Sequence, residues 1–276
     1  ATHCSQGRIE SVSEDILYES QGHVRIVTIN RPDKMNSLDF AANDALAAAL
    51  EEFDADGDAR VCVLTGAGSK AFCAGADLKT YTMNFGGRPL PEFRQKYTNG
   101  YGIGGITRNM EIWKPVIAAV NGFAISGGLE ISLACDMRFC SPNAEFAIQD
   151  VKWGFHPCDG ALIRLPWIVG LGNAMEMFLS GDRIDAEHAF RIGLVNRIVP
   201  QETLLAETVA YAEKLATRAP LAQQLGKEVM LRSLGRTVED GLRFESRSFR
   251  DLGNTEDLDE GTTAFREKRD ARFKGR

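Results

Sequence analysis

A chain of 276 residues, 44% hydrophobic and 25% charged, has the make-up of a globular protein with room for one large domain and an appendage. Its formal net charge of −6, with no run of five like charges, counts against nucleic acid or an anionic membrane as a partner. No stretch approaches the ~18 uninterrupted apolar residues that a membrane span needs.

The polar N-terminal stretch "ATHCSQGRIESVSED" has no apolar signal-peptide core and is not Arg-rich, so it reads as a loose arm on a cytoplasmic protein. "HVRIVTIN" (23–30) alternates polar and apolar residues and predicts a strand broken by Pro32 and Asp33. Ser37 is then the expected N-cap of a helix over "LDFAANDALAAALEEF". "RVCVLTG" (60–66) and "PVIAAVNG" (115–122) predict short buried strands; "DMRFC" (136–140) and "EFAIQ" (145–149) predict two more. Between them, residues 80–107 are irregular, with "NFGGRPLP" and "YGIGGI" breaking any helix; the second reads as a flexible loop rather than a phosphate cradle.

This order of strands and helices predicts an α/β fold with parallel pairing. From about Gly160 the chain turns helical. "TLLAETVAYAEKLATRA" (203–219) is amphipathic, its apolar stripe belonging to core or a subunit interface, and Pro220 closes it. "LAQQLGKEVMLRSL" and "VEDGLRFESRSFRDL" follow in the same style, which divides the chain into an α/β core over 1–200 and a helical region over 201–276. The six cysteines form no C-x-x-C pair and read as buried thiols of a reducing compartment.

In "AVNGFAISGGLE" (119–130) a buried strand gives way to a helix at Gly127 and Gly128. A helix start offers unpaired N–H groups and partial positive charge, and glycine lets another atom come close to them. The result is either a site for an anion or developing oxyanion, or a tight turn for close helix–strand packing. "KAFCAGADLK" (70–79) is a second small-residue loop after a buried strand, with a main-chain N–H on offer near Ala76. Spacing leaves open whether the two loops meet. Glu130 follows in the first helical turn, where the dipole favours its charged form, as suits a base.

These segments carry a resemblance. "NRPDKMNSL", "AFCAGADLK", "KPVIAAVNGFAISGGLEISLACDMRFCSPNAEF", "AFRIGLVNRIVP" and "EGTTAFREKRDARFKGR" occur in the order of the enoyl-CoA hydratase/isomerase (crotonase) superfamily, across nearly the whole chain. The resemblance implies a crotonase-like spiral of β-β-α turns with a C-terminal helical trimerisation region, assembled as a trimer or dimer of trimers. It implies an acyl-CoA hydratase or dehydratase acting on an α,β-unsaturated CoA thioester, with no metal and no cofactor beyond the coenzyme A of the substrate. Ala76 and Gly127 would supply the oxyanion-hole N–H groups, and Glu130 and Asp150 the acid–base pair. Coenzyme A would meet Lys34, Ala74 and Ala76, together with Phe265 and Lys268 of the last helix, which can reach a neighbouring subunit's site.

The chain departs from the pattern in two places. Asp150 is one methylene shorter than the glutamate that hydratases carry there. "GFHPCDGALIRLP" (154–166) replaces a P-G-A-G-G run and puts His156, Cys158 and Asp159 where they would line the acyl pocket and imply a polar or branched acyl group. The competing readings are a double-bond isomerase or a hydrolase of the same superfamily, a Cys158 nucleophile with His156 as base, and a non-catalytic scaffold for CoA esters or RNA.

Overall fold

The computed structural model describes residues 8–81, 89–95 and 99–276. The chain opens with an antiparallel meander of β1 (Arg8–Ser13), β2 (Ile16–Gln21) and β3 (Val24–Ile29). The expected loose arm thus supplies an edge strand from residue 8 onward. Its main chain pairs with β2, a partnership set by the neighbouring strand rather than by any apolar pattern of its own. Residues 1–7, including Cys4, lie outside the described residues.

After β3 the chain enters α1 (Phe40–Ala55). Its N-cap is Asp39, whose carboxylate accepts from Ala42 N at 3.0 Å. Ser37 lies too early to cap, and its carbonyl accepts from the Arg31 guanidinium instead.

From β4 (Val61–Gly66) the chain winds in β-β-α turns. In each turn the first strand joins a large sheet and the second a small one. β4 is followed by β5 (Ala71–Cys73) and the short helices α2 (Leu78–Tyr81) and α3 (Leu90–Phe93). β6 (Val116–Val120) leads to β7 (Phe123–Ile125) and α4 (Gly127–Ala134). β8 (Met137–Cys140) leads to β9 (Glu145–Ala147) and α5 (Ala161–Val169). Then come α6 (Leu171–Ser180), β10 (Ile184–Asp185), α7 (Ala186–Arg191) and β11 (Arg197–Ile198). The large sheet runs β1-β2-β3-β4-β6-β8-β11, parallel from β3 onward; the small sheet runs β10-β9-β7-β5. This is the crotonase-like spiral.

The central strands are buried on both faces, which is why they read as continuous apolar runs. Cys62, Leu64, Ala118 and Val120 face the small sheet, α1 and α4. Val61, Val63, Ile117 and Ala119 face Val209, Ala212 and Ala216 of α8 (Leu204–Ala216). The stripe of α8 is therefore core, and the helical region after residue 200 begins with an element packed on the face of the large sheet away from α1 and α4. Pro220 opens α9 (Pro220–Arg232) as its first residue, where a missing N–H costs nothing. α10 (Val238–Leu252) and α11 (Glu256–Glu267) complete the chain. The helical match over 260–276 ends at Glu267. Beyond it the tail folds back, with Arg60 donating to Phe273 O at 2.8 Å and the buried Asp257 carboxylate accepting from Lys274 N and Gly275 N at 2.7 and 2.8 Å.

Two further expectations change. "YGIGGI" is a packed turn rather than a loose loop: Ile103, Gly104 and Gly105 are buried, and a Cβ on Gly105 would lie 2.4 Å from Ala47 Cα of α1. Residues 84–88 of "NFGGRPLP" lie outside the described residues. Cys62, Cys73, Cys135 and Cys140 are buried thiols, but Cys158 is exposed. Among the described residues no helix is long and apolar enough to cross a membrane.

Candidate active site

Two loops at the ends of small-sheet strands come together. After β5, Gly75 turns with φ +91°, and a Cβ there would lie 3.0 Å from Gly127 N. A Cβ on Gly127 would in turn lie 3.4 Å from Ala76 N. The Ala76 and Gly127 amides are thus neighbours, as the sequence left open. Gly128 serves the packing role: a Cβ would lie 1.8 Å from Cys73 O, so only glycine lets α4 seat against β5. The close-packing reading of the glycine pair thus holds at Gly128.

The first loop is held from behind by two buried asparagines. Asn36 Nδ2 donates to Ala67 O and Ala71 O at 3.0 and 2.7 Å, and Asn121 Nδ2 donates to Gly66 O and Gly68 O at 2.8 and 2.7 Å. Ala74 N donates to Met35 O at 3.0 Å, which seats the 31–36 turn beside the Ala74–Ala76 loop. The second loop enters α4 through Ser126, a non-glycine residue at φ 50°. Such a conformation is costly and is kept only where its surroundings hold it. Here Ser126 Oγ accepts from Gln149 N at 3.2 Å, and the hydroxyl also bonds the Asp150 carboxylate. At the far end of α4 the buried Arg138 donates to Ser132 O and Cys135 O at 3.0 and 2.9 Å, a cation at the helix's negative pole.

Ala76, Gly127, Glu130 and Asp150 all line one cavity of about 970 Å³. Glu130 is only 3% exposed. Its Oε1 accepts from Asp159 N at 2.7 Å and Ala161 N at 3.0 Å. Burial, and then the Asp159 charge, push its pKa up to about 8. This reverses the expectation that the helix dipole would keep it ionised. The dipole contributes ~0.3–1 kcal/mol, whereas the displacement from 4.5 to about 8 corresponds to a desolvation-led effect on the order of 5 kcal/mol. Asp150 begins a 3₁₀ turn, Asp150–Trp153, and is 6% exposed. Burial raises it above the usual carboxylate range, against the Ser126 hydrogen bond, and its Oδ2 has no hydrogen-bond partner in the protein.

The other expected residues divide. Ala74, His156, Cys158 and Asp159 line the same cavity. His156 Nδ1 donates to the Pro157 carbonyl at 2.8 Å, and Cys158 Sγ lies 3.6 Å from Asp159 Oδ2. Asp159 Oδ1 accepts from Ile103 N, Thr107 Oγ1 and Arg108 Nε. Lys34 is exposed and not in the lining, although its neighbour Met35 is. Phe265, 85% exposed, and Lys268, which caps α11 at φ 55°, do not reach this cavity within the chain. The sequence reading missed Ser126 and Arg108, and the aromatic lining of Phe40, Phe93, Tyr101 and Phe155. Ser126 carried a usable signal as the residue directly before the glycine pair; the others come from four separate segments. Among the described residues no group of three or more His, Cys, Asp or Glu is arranged to hold a metal.

A family model described as Enoyl-CoA hydratase/isomerase matches residues 19–276. The chain is 41% identical to a probable enoyl-CoA hydratase of Rhizobium meliloti (strain 1021), over 95% of this chain and 99% of that protein. It is 39% identical to the (E)-benzylidenesuccinyl-CoA hydratase of Thauera aromatica, over 94% of this chain and 99% of that one. A crystal structure of an enoyl-CoA hydratase from Bacillus anthracis matches with a TM-score of 0.85 at 34% identity, covering 95% of this chain and 100% of that one. The chain belongs to the enoyl-CoA hydratase/isomerase family of the crotonase superfamily.

Proposed function

We propose that the protein is an enoyl-CoA hydratase-like lyase that adds water to, or removes it from, an α,β-unsaturated CoA thioester, with Glu130 and Asp150 as its acid–base pair. The observation that carries this reading is the meeting of two buried carboxyl groups with two adjacent main-chain amides on one cavity. In hydration, Glu130 takes a proton from water as its oxygen bonds Cβ. Charge moves to the thioester oxygen, where the Ala76 and Gly127 N–H groups stabilise it; one such donor is worth ~3–4 kcal/mol. Asp150 then gives a proton to Cα. Burial suits both groups to this exchange, because it raises each above the usual carboxylate range and makes the proton easier to hold.

Coenzyme A enters only as part of the substrate, with no separate cofactor. Its binding falls to the Ala74–Ala76 loop and Lys34, and to Phe265 and Lys268 of a neighbouring subunit in a trimer or dimer of trimers. The exposed apolar residues Met230, Val238, Phe249 and Phe265 on α9, α10 and α11 support such an assembly. Four buried free thiols support a reducing, cytoplasmic setting.

Against a Cys158 nucleophile stand the thiol, pushed up to about 12 by the protein packed around it, although the residue keeps an exposed face, and then by the Asp159 charge, and the engagement of His156 Nδ1 with Pro157. A panel of 2-enoyl-CoA thioesters, followed by loss of conjugated-enoyl absorbance and by product mass, tests the reading. Products heavier by one water are expected. A shifted double bond with unchanged mass would convert the assignment to isomerase, and released free coenzyme A would convert it to hydrolase.

A further inference from the structure

Asp159 touches three parts of the site with three different groups. Its main-chain N–H donates to Glu130 Oε1, its carbonyl accepts from Arg164 Nη1 at 3.3 Å, and its carboxylate accepts from the 103–108 segment. Arg108 grips the same turn twice, through Nε to Asp159 Oδ1 at 3.1 Å and through Nη2 to the Cys158 carbonyl. Arg164 Nη2 donates to Thr107 O at 2.8 Å, so the segment bearing Arg108 is tied down on both sides. The 158–161 turn is therefore not a free loop that happens to pass Glu130. It is fixed to the 103–108 segment through a buried-edge ion pair.

We propose that Asp159, clamped by Arg108, is a positioning residue for Glu130: it fixes the turn whose two N–H groups aim the Glu130 carboxyl and sets a compensated negative charge beside it. This rests on the reading of Glu130 as the base. An alanine or glycine at 159 would leave Ile103 N–H without its side-chain acceptor, take one of two acceptors from Thr107 Oγ1, leave the Arg108 charge without its carboxylate, and remove a neighbouring anion from Glu130.

The charges facing Glu130 can be counted by element. Asp150 comes from its 3₁₀ turn, Asp159 and the neutral Cys158 thiol from the 158–161 turn, and Arg164 from α5. Arg108 acts through Asp159, and His156 lies nearer Asp150. Asp159→Asn keeps an acceptor oxygen but deletes the anion, leaving Arg108 and Arg164 to favour ionised Glu130. Its titration moves to lower pH. Arg108→Gln leaves Asp159 uncompensated, and the titration moves to higher pH. A merely structural clamp gives a different pattern: loosening by either variant admits water and lowers the midpoint in both.

The experiment is infrared pH-difference spectroscopy on the full chain, using the protonated-carboxyl band that disappears in Glu130→Gln. The expected result is a midpoint lowered by about half a pH unit or more in Asp159→Asn, raised in Arg108→Gln, and returned towards wild type in Arg108→Lys. A midpoint unmoved in Arg108→Gln, or displaced the same way in both charge-deleting variants, overturns the clamp. Arg108 is partly exposed, so its two variants still decide the question if Asp159→Asn does not fold. Turnover of but-2-enoyl-CoA by Glu130→Gln separates the two failures: wild-type turnover there removes Glu130 as base, whatever the clamp does.

Discussion

Glu130 sits under opposed influences. The first turn of α4 favours its anion, two N–H donors favour its anion, and burial beside Asp159 and Asp150 disfavours it. Burial wins, which gives a signed prediction. A base with its midpoint near 8 makes kcat/KM rise with pH through that region, as a pH–rate profile on the free enzyme reads directly. The stability contribution has the opposite slope. Because the folded value lies above the ordinary one near 4.5, the contribution is complete below about 4.5 and is lost as pH rises through about 8. Glu130→Gln keeps an Oε1 acceptor for Asp159 N and Ala161 N without the charge. Its Tm should therefore exceed that of wild type at pH 9 and approach it at pH 5; a constant offset between the two would contradict the burial argument. For turnover, Glu130→Gln and Asp150→Asn should each lower kcat by about 10²–10⁴-fold. The double variant should fall far less than multiplicatively if the two carboxyl groups act as the proposed pair. If Asp150→Asn retains near-full hydration, the second acid is elsewhere.

At the scale of elements, the glycine pair at the start of α4 separates two jobs that the sequence presents as one. A Cβ at Gly128 meets a main-chain carbonyl, Cys73 O, which cannot move without displacing β5. A Cβ at Gly127 meets Ile103 Cδ1 at 2.5 Å, the free end of a flexible side chain. Gly128→Ala should thus destabilise the fold by at least about 1–3 kcal/mol, seen as a lowered Tm, whereas Gly127→Ala should stay folded with its N–H in place. Gly127→Pro removes the donor itself and should abolish turnover on every substrate. A folded Gly127→Pro protein with near wild-type kcat would remove the oxyanion assignment. β5 and β7, the strands that deliver these loops, are three residues each, too short to carry a readable period.

For the whole molecule, the C-terminal helices divide between packing inward and facing out. α8 closes the sheet, while α11 leaves Phe265 exposed and is anchored by its own tail through Asp257, Glu260 and Arg60. Removing the chain from Glu256 onward deletes that anchor and the outward face together. Such a truncation should weaken both assembly and thioester binding, measured by light scattering and KM. An intact oligomer with unchanged KM would refute the role given to the last helix. Phe265→Ala with Lys268→Ala is the milder version, expected to raise KM and leave the monomer's Tm close to wild type.

The sequence by itself determined the class of fold and the segments that line the candidate site. β4 and β6, buried on both faces, were legible as continuous apolar runs, β3 by its alternation and β8 as a short strand, as was Glu130 beyond its glycine pair. The long-range pairings were not. Whether Ala76 meets Gly127 depends on the register of β5 against β7. Whether residues 8–13 are an arm or a strand depends on the free edge of β2. Whether Glu130 is held as an anion or pushed towards its neutral form depends on the Asp159 turn and the 103–108 segment closing over it. Local propensity and helix dipoles act over a few residues and are written in the sequence. Desolvation and the meeting of separate loops arise only when distant segments pack, so tertiary structure decided the direction in which Glu130 is pushed and the geometry of the paired amides.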